Sequence, residues 1–450
     1  MHGPTLALLL LYAAGLLLLS RGGKAKSSAE FLLAGRTLTL PAFVATLVTT
    51  WYGGILGVGE FAWRYGLSTW VVFGLPYYIA ALTFGFWLAP RIRRTGAMSI
   101  PEMLERTYGR KAAFTGASGI WAGTVPVAYL LMLSALLQQF LGLPALLATL
   151  LGISFSVIYV AVSGFRAVVR TDALQMALMF IGFSLLLLAA LKNCGGLSGL
   201  WGALPASHLS WDGGLGWQAV FVWYLIAFQT VVEPAFYQRV FAARSPQTAR
   251  SGVLVSVLLW GAFDFLSITS ALAARVLHPD LADPLTAYPT LAASVLSPWA
   301  AAVFTVALFA IVMSTLDSYL FLSASTFGHD FWTGGGPNGD RRRIRIGLVF
   351  SAVVAVGGTL FFDSAIDVWH HVGSVLTSSL LIPVLAVHLP ERIRPSERGA
   401  VAIMIVAAAT SAAWIFGRTP AGYPLNIEPM FPALLVAALI WAGDRILGIR

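Results

Sequence analysis

Ser314, Asp317 and Ser318 lie three and four residues apart in a strongly apolar stretch, and Thr315 adds a further hydroxyl. This spacing places Ser314, Asp317 and Ser318 side by side on one face of a helix. Polar and charged side chains at membrane depth are costly and commonly mark a functional site. Their oxygens suit a small hard cation. The alternative is that the hydroxyls bond only to their own or a neighbouring helix, which Asp317 makes less attractive.

The composition places this stretch in a membrane protein. Of 450 residues, 58% are hydrophobic and 10% are charged, and about 20 apolar residues suffice to cross a bilayer. We therefore predict an all-α polytopic membrane protein that forms one domain over residues 1–450. The first apolar run lacks the basic segment and cleavage site of a signal peptide, so we expect it to be retained. The thirteen predicted spans are about 4–20, 38–62, 68–90, 113–138, 143–163, 171–191, 217–240, 251–275, 298–328, 344–362, 367–389, 398–417 and 428–445.

The basic residues are distributed unevenly between the two sides of this topology. Of the 28 Lys and Arg residues, only Arg64, Lys192, Arg275 and Arg418 fall on one side, which leaves 28 − 4 = 24 for the other. The positive-inside rule makes the richer side cytoplasmic, with the N-terminus outside and the C-terminus inside. This asymmetry explains the net charge of +9 without a nucleic-acid partner. The single cysteine, Cys194, excludes an internal disulfide.

Two of the predicted spans contain helix-breaking residues. The second span holds four glycines between Gly53 and Gly59, and the seventh holds Pro234 directly after Glu233. The breaks are five spans apart, and an odd offset inverts the second unit. This arrangement is typical of the inverted repeats of secondary transporters, although Gly and Pro are common in membrane helices generally. We predict repeats at 38–191 and 217–389, with an extra helix in 1–37 and two in 398–450.

Broken helices expose main-chain carbonyl groups at mid-membrane depth, where they can bind Na⁺. Carbonyls from the second span and hydroxyls from the ninth span would together supply about five oxygens, enough for one Na⁺. The sequence alone does not show whether these two spans touch.

Four motifs in this order resemble the sodium/solute symporter family, which includes bacterial proline, pantothenate and sialic acid carriers and animal glucose and choline carriers. They are Phe31–Leu38, Arg170–Gln175, Tyr237–Arg239 and Met313–Ser318. Within the family, the run from Trp51 to Gly54 most resembles the choline carriers. The resemblance implies a LeuT-type fold and Na⁺-coupled solute uptake by alternating access. It also implies a non-enzymatic protein of a bacterial inner or plasma membrane, without an organic cofactor.

The resemblance further implies an ion site. It maps the Na⁺-binding carbonyls to Thr50, Gly53 and Ile311 and the Na⁺-binding hydroxyls to Ser314 and Thr315. Some members hold a second sodium at residues that match Asp172, Asp317 and Ser318. Because Asp317 replaces a hydroxyl of those members, a second Na⁺ and a proton both remain open for this site.

The mapped solute site differs from that of the sugar carriers. Ile226 and Trp260 replace their sugar-binding amide and lysine, which disfavours a sugar. The nearby acidic and aromatic residues instead suit an ammonium group, so we expect an amino acid, a carboxylate, a betaine or a choline-like amine. Alternatively, Glu60 pairs with Arg64, and Asp264 bonds to a neighbouring helix. The candidate solute residues are Trp51, Gly57, Glu60, Tyr224, Gln229, Glu233, Trp260 and Asp264.

Two other functions are compatible with these residues. Proton coupling through Asp317, Asp172 or Glu60 would give a transporter without Na⁺, and a solute-binding membrane sensor would give no transport. The sequence has no metal cluster or nucleophile pair that would favour an enzyme. The expected partners are Na⁺, a small solute and the lipid bilayer; a monomer would suffice for transport, and the oligomeric state stays open.

Overall fold

The computed structural model describes residues 3–21, 27–332, 336–362, 364–419 and 422–446. Lys24, Lys26 and Arg450, which entered the charge count, lie outside these ranges. Helices occupy all thirteen predicted spans, and ten of them in the described chain are long and apolar enough to cross a membrane; α5, α10 and α13 fall outside that group. The helices are α1 Gly3–Ser20, α2 Leu40–Tyr65, α3 Trp70–Arg94, α4 Arg110–Leu141, α5 Ala145–Ser163, α6 Phe165–Asn193, α7 Trp217–Ala242, α8 Pro246–Leu277, α9 Pro298–Asp330, α10 Gly336–Gly358, α11 Ala365–Ala386, α12 Glu397–Phe416 and α13 Met430–Ile446.

Helix α2 is interrupted where the glycines begin. Its first half, Leu40–Trp51, ends in a 3-10 turn over Tyr52–Gly54, and its second half is Ile55–Tyr65. A side chain at Gly53 would put its Cβ 2.5 Å from the Cβ of Thr315. The break in α2 therefore lies directly against α9, and glycine is what permits this close approach.

Helix α7 is interrupted in a different way. Its first half ends in a 3-10 segment over Ala227–Val231, and its second half begins at Pro234. Proline has no amide hydrogen to donate and is favoured in the first turn of a helix. The Glu233 side chain caps this new helix by accepting a hydrogen bond from the Ala235 amide at 3.4 Å. One Glu-Pro pair thus starts a second helix in mid-membrane.

Helix α9 is the central element of the fold. Most of its side chains between Ala302 and Ser325 are buried, and it packs along α6 and against the break in α2. The breaks in α2 and α7 open two runs of five helices, α2–α6 and α7–α11. Helix α1 packs on α5, α6 and α9, whereas α12 and α13 pack on each other and on α11.

Candidate functional site

The Thr315 hydroxyl lies where α9 meets the break in α2. Its Oγ1 is 3.2 Å from the Thr50 carbonyl oxygen, 3.4 Å from that of Thr49 and 3.4 Å from that of Ile311. The threonine is fully buried, and Gly53 lies beside it. The structure therefore brings together four of the five predicted sodium residues: Thr50, Gly53, Ile311 and Thr315. Hydroxyl and carbonyl oxygens of this kind can bind a cation such as Na⁺ once the hydroxyl hydrogen turns away.

Ser314, the fifth of these residues, is directed toward α6. Its hydroxyl donates to Asp172 Oδ1 at 2.6 Å, and the Thr46 hydroxyl donates to Asp172 Oδ2. Both Ser314 and Asp172 are fully buried. In this arrangement Asp172 links α2, α6 and α9.

Arg239 completes this polar network. Its Nη2 donates to the hydroxyls of Ser318 at 2.7 Å, Thr50 at 2.8 Å and Thr46 at 3.0 Å, and it lies 3.9 Å from Asp172 Oδ2. The charge count assigned Arg239 to the cytoplasmic side, at the end of the seventh predicted span; its side chain is fully buried within α7. The three hydroxyls and the carboxylate replace the water that a guanidinium would otherwise need.

Asp317 is separate from this network. Both of its carboxylate oxygens are buried without a hydrogen-bond partner among the described residues, as are Ser156 Oγ and Gln175 Oε1. Ser156 of α5 and Tyr12 of α1 are polar neighbours of Asp317 that act on it electrostatically without forming a hydrogen bond of normal geometry. The three residues expected to share a second cation are therefore divided: Asp172 and Ser318 contact Arg239, and Asp317 faces α1 and α5.

Two cavities meet at the break in α7. The aromatic cavity, with a volume of about 140 Å³, is lined by residues that include Gly57, Phe73 and Trp223. The Glu233 cavity, of about 30 Å³, is lined by Glu233 together with aromatic side chains. Gln229 and Trp369 line both cavities. Gly57, Gln229 and Glu233 are thus the predicted solute residues that the structure brings to a cavity wall.

Glu233 is the carboxylate of the second cavity. Its Oε1 accepts a hydrogen bond from the Tyr319 hydroxyl at 2.9 Å, and its Oε2 is 3.5 Å from Gln229 Nε2. The ring of Tyr319 packs against that of Tyr129, with centroids 4.8 Å apart. A carboxylate beside aromatic faces can bind an ammonium group by charge and by cation–π attraction.

A profile of the sodium:solute symporter family matches residues 31–407. This chain belongs to the sodium:solute symporter family. The sodium/pantothenate symporter of Escherichia coli (strain K12) is 23% identical to it over 92% of this chain and 90% of the relative. The high-affinity choline transporter 1 of Caenorhabditis elegans is 24% identical over 76% and 64%. Both are relatives of this symporter, and their different solutes leave its own solute undetermined.

The fold is also shared with solved transporters. A substrate-bound, outward-open Na⁺-coupled sialic acid symporter matches 98% of this chain and 96% of its own with a TM-score of 0.81, at 16% identity. The similarity confirms the predicted LeuT-type fold. Together with the family match, it identifies an integral membrane protein that carries a small solute with Na⁺.

The other predicted solute residues of the symporter lie outside the two cavity walls. The Asp264 carboxylate accepts hydrogen bonds from the Tyr52 hydroxyl at 2.9 Å and from the Tyr78 hydroxyl. It is therefore already satisfied within α2, α3 and α8, as the alternative interpretation expected. Glu60 pairs with Arg64 at 3.0 Å, one turn along α2, where both side chains are partly exposed.

The remaining three predicted solute residues are aromatic. Trp51 packs against Trp260 with ring centroids 5.2 Å apart and against Tyr77 at 5.3 Å. Tyr77 in turn lines the aromatic cavity, so these tryptophans support its wall from behind. Tyr224 is partly exposed, whereas its neighbour Trp223 lines the cavity.

Sequence reasoning assigned no role to Tyr319, Tyr129 or Trp369, or to the Arg239 side chain. Tyr319 could have been found because it follows Thr315 by four residues and so lies on the same face of α9. Arg239 belongs to a family-like motif, but the charge count treated it only as one of the basic residues of the cytoplasmic side. Tyr129 and Trp369 come from other helices, and no pattern in the sequence pairs them with Glu233.

Proposed function

We propose that this symporter imports a solute bearing an ammonium group, such as an amino acid, a betaine or a choline-like amine, together with Na⁺. The observation that carries the solute class is the buried Glu233 carboxylate in a cavity lined by Tyr129, Tyr319 and Trp369. A buried carboxylate is costly unless it is paired. Tyr319 and the Ala235 amide donate hydrogen bonds to Glu233 but bring no full positive charge. An ammonium ion would supply that charge, whereas a sugar would not.

In this proposal Na⁺ binds between the break in α2 and α9. The carbonyls of Thr50, Gly53 and Ile311 and the hydroxyls of Ser314 and Thr315 are its proposed ligands. The close approach of Thr315 to the Thr50 and Ile311 carbonyls supports this assignment. To bind the ion, the Ser314 hydroxyl would rotate away from Asp172. If it instead keeps donating its hydrogen bond to Asp172, it would stabilise the ion only indirectly, by holding that carboxylate in place.

A third cavity supports a route for the solute from the Glu233 cavity to the other side of the membrane. It has a volume of about 40 Å³, is lined by residues that include Gln238, Ser325 and Asp330, and shares Pro234 with the Glu233 cavity. A solute released from Glu233 would pass the break in α7 to reach it. With the N-terminus outside and the C-terminus inside, as the charge asymmetry favours, this third cavity opens toward the cytoplasm.

Proton coupling through Asp317 is the second candidate function. It is favoured by the two carboxylate oxygens of Asp317, which have no hydrogen-bond partner among the described residues. A proton on Asp317 would remove its charge and provide a donor for Ser156. Uptake driven by a pH gradient in the absence of Na⁺ would favour this candidate over Na⁺ coupling.

A thermal-shift screen of the purified protein tests the solute class. Quaternary amines, amino acids, carboxylates and sugars are each added with NaCl and, separately, with KCl. A solute that binds the folded protein raises its apparent stability. We expect stabilisation by an amine-bearing solute in NaCl only; stabilisation by a sugar or by an amine-free carboxylate alone would contradict the proposal.

A further inference from the structure

Arg239 lies in the half of α7 that Glu233 caps. This half begins at Pro234 and ends at Ala242. The Glu233 carboxylate, which is proposed to bind the solute, and the buried Arg239 guanidinium therefore belong to the same short, stiff helix. The side chain of Arg239 is 0% exposed, and its guanidinium carbon lies 5.2 Å from the centre of the Phe165 ring. Whatever displaces this guanidinium acts directly on the helix that holds Glu233.

The guanidinium contacts helices that carry the proposed sodium ligands. Its Nη2 donates to the Thr50 hydroxyl at 2.8 Å, and the carbonyl of the same residue lies 3.2 Å from Thr315 Oγ1. It also donates to Ser318 of α9 at 2.7 Å. One guanidinium nitrogen therefore connects α7 to the two helices between which Na⁺ is proposed to bind.

The carboxylate of Asp172 provides a second connection. It lies 3.9 Å from Arg239 Nη2 and accepts a 2.6 Å hydrogen bond from Ser314. Arginine stays charged and presents its donors in a rigid fork. A Na⁺ ion at the Thr50 carbonyl and the Ser314 hydroxyl brings a second positive charge next to the Thr50 hydroxyl and the Asp172 carboxylate. Its repulsion weakens the interaction of these groups with Arg239.

We propose that Arg239 is a positioning residue that transmits Na⁺ binding from α2 and α9 to the solute-binding half of α7. This inference rests on the proposed function, because it requires Na⁺ between α2 and α9 and the solute at Glu233. Na⁺ loosens the guanidinium from Thr50 and Ser318, and the helix capped by Glu233 then changes its position relative to α2. Solute affinity thereby depends on Na⁺ although the two sites share no ligand.

The test uses Na⁺ alone as the ligand and a single cysteine as the reporter. Phe228 lies in the break of α7 and is 47% exposed, and the native cysteine is removed by Cys194→Ser. The labelling rate of Phe228→Cys with a thiol reagent is measured in full-length protein, in NaCl and in KCl at equal ionic strength. Na⁺ binding is measured independently from the NaCl-dependent rise in melting temperature.

Arg239→Gln removes the charge and the fork, and Arg250→Gln is the matched control, since Arg250 stacks on Phe86 away from the network. If Arg239→Gln fails to fold, the double variant Arg239→Gln/Asp172→Asn, which removes both charges, is used in place of the single variant. We expect the reporter protein and the control to change labelling rate several-fold in Na⁺. In the Arg239 variants the melting temperature still rises with NaCl, but the change in labelling rate is lost.

The outcomes separate a coupling role from a structural one. A variant that is less stable but keeps the Na⁺-dependent change in labelling rate overturns the role of Arg239 and leaves the proposed function intact. If the reporter protein with native Arg239 and Asp172 shows no response to NaCl in either its melting temperature or its labelling rate, the proposed function is overturned, and the inference with it. Loss of the labelling response with retained Na⁺ stabilisation supports the inference.

Discussion

Thr315 Oγ1 lies 3.2 Å from the carbonyl oxygen of Thr50, although the two residues are 265 positions apart in the chain. The contact joins the end of the first half of α2 to α9, whose side chains between Ala302 and Ser325 are mostly buried. In the absence of an ion the hydroxyl donates to the carbonyl. When a cation binds, both oxygens can turn their lone pairs toward it. The hydrogen bond between Thr315 and Thr50 would then be lost, and both oxygens would become ligands of Na⁺.

Thr315→Ala is expected to raise the Na⁺ concentration for half-maximal uptake about 10- to 100-fold. The estimate follows from a hydrogen bond or ligand to a charged group, which contributes about 1.5–3 kcal/mol. Thr305→Ala is the matched control, because the Thr305 hydroxyl is also buried in α9 but bonds only to Ala301 of its own helix at 2.9 Å. An equal Na⁺ dependence in the two variants would remove Thr315 from the ion site.

Gly53→Ala is expected to abolish Na⁺-dependent uptake. The added methyl would lie 2.5 Å from Thr315 Cβ, and relief of such an overlap costs about 1–3 kcal/mol and moves the backbone of the break. Gly261→Ala in α8 is the control, since nothing lies within 4 Å of its added methyl. The two variants are compared by uptake and by NaCl-dependent melting temperature; a Gly53 variant with normal Na⁺ stabilisation would contradict the proposed geometry.

Glu233→Gln is expected to weaken solute binding by at least about tenfold, because an ammonium ion loses a charged partner. The Na⁺-dependent rise in melting temperature should change little. Glu60→Gln provides the comparison: Glu60 bonds to Arg64 in a partly exposed pair, and such pairs contribute about 0–1 kcal/mol. Solute affinity is measured by competition in uptake assays. A larger effect from Glu60 than from Glu233 would move the solute site to the second half of α2.

Asp172→Asn is expected to lower the free energy of unfolding by about 3–5 kcal/mol, because it leaves Arg239 buried without its counter-charge. Adding Arg239→Gln to Asp172→Asn should recover part of this loss. A double-mutant cycle in detergent, followed by chemical denaturation, measures the coupling free energy. Additive effects of the two substitutions would show that Asp172 and Arg239 do not stabilise each other.

Most of the helices were predictable because they are long apolar runs, and lipid requires every backbone polar group to be paired within the helix. The breaks were predictable from Gly53, Gly54 and Pro234, because glycine and proline weaken a helix wherever they occur. Local rules of this kind need no knowledge of the neighbouring helices. The residues of the proposed ion site were chosen from the family resemblance and from the polar face of α9.

The partners of the buried charged side chains Arg239 and Asp264 were not predictable from the sequence, unlike the Glu60–Arg64 pair one helical turn apart. In a charge count Arg239 is one of many basic residues of the cytoplasmic side, and only its contacts with Thr46, Thr50 and Ser318 reveal a buried network. From the sequence, Asp264 is a candidate solute ligand; in the structure its carboxylate accepts hydrogen bonds from the hydroxyls of Tyr52 and Tyr78. In both cases the decisive groups come from other helices, so their proximity depends on packing rather than on spacing.

Uptake by proteoliposomes tests the central claim most directly. Purified protein is reconstituted, and uptake of a radiolabelled amine identified in the thermal-shift screen is measured with either Na⁺ or K⁺ outside, at equal pH and ionic strength. We predict that the solute accumulates above its external concentration only with an inward Na⁺ gradient, and that Thr315→Ala reduces this accumulation. Equal uptake with Na⁺ and with K⁺ would contradict the account.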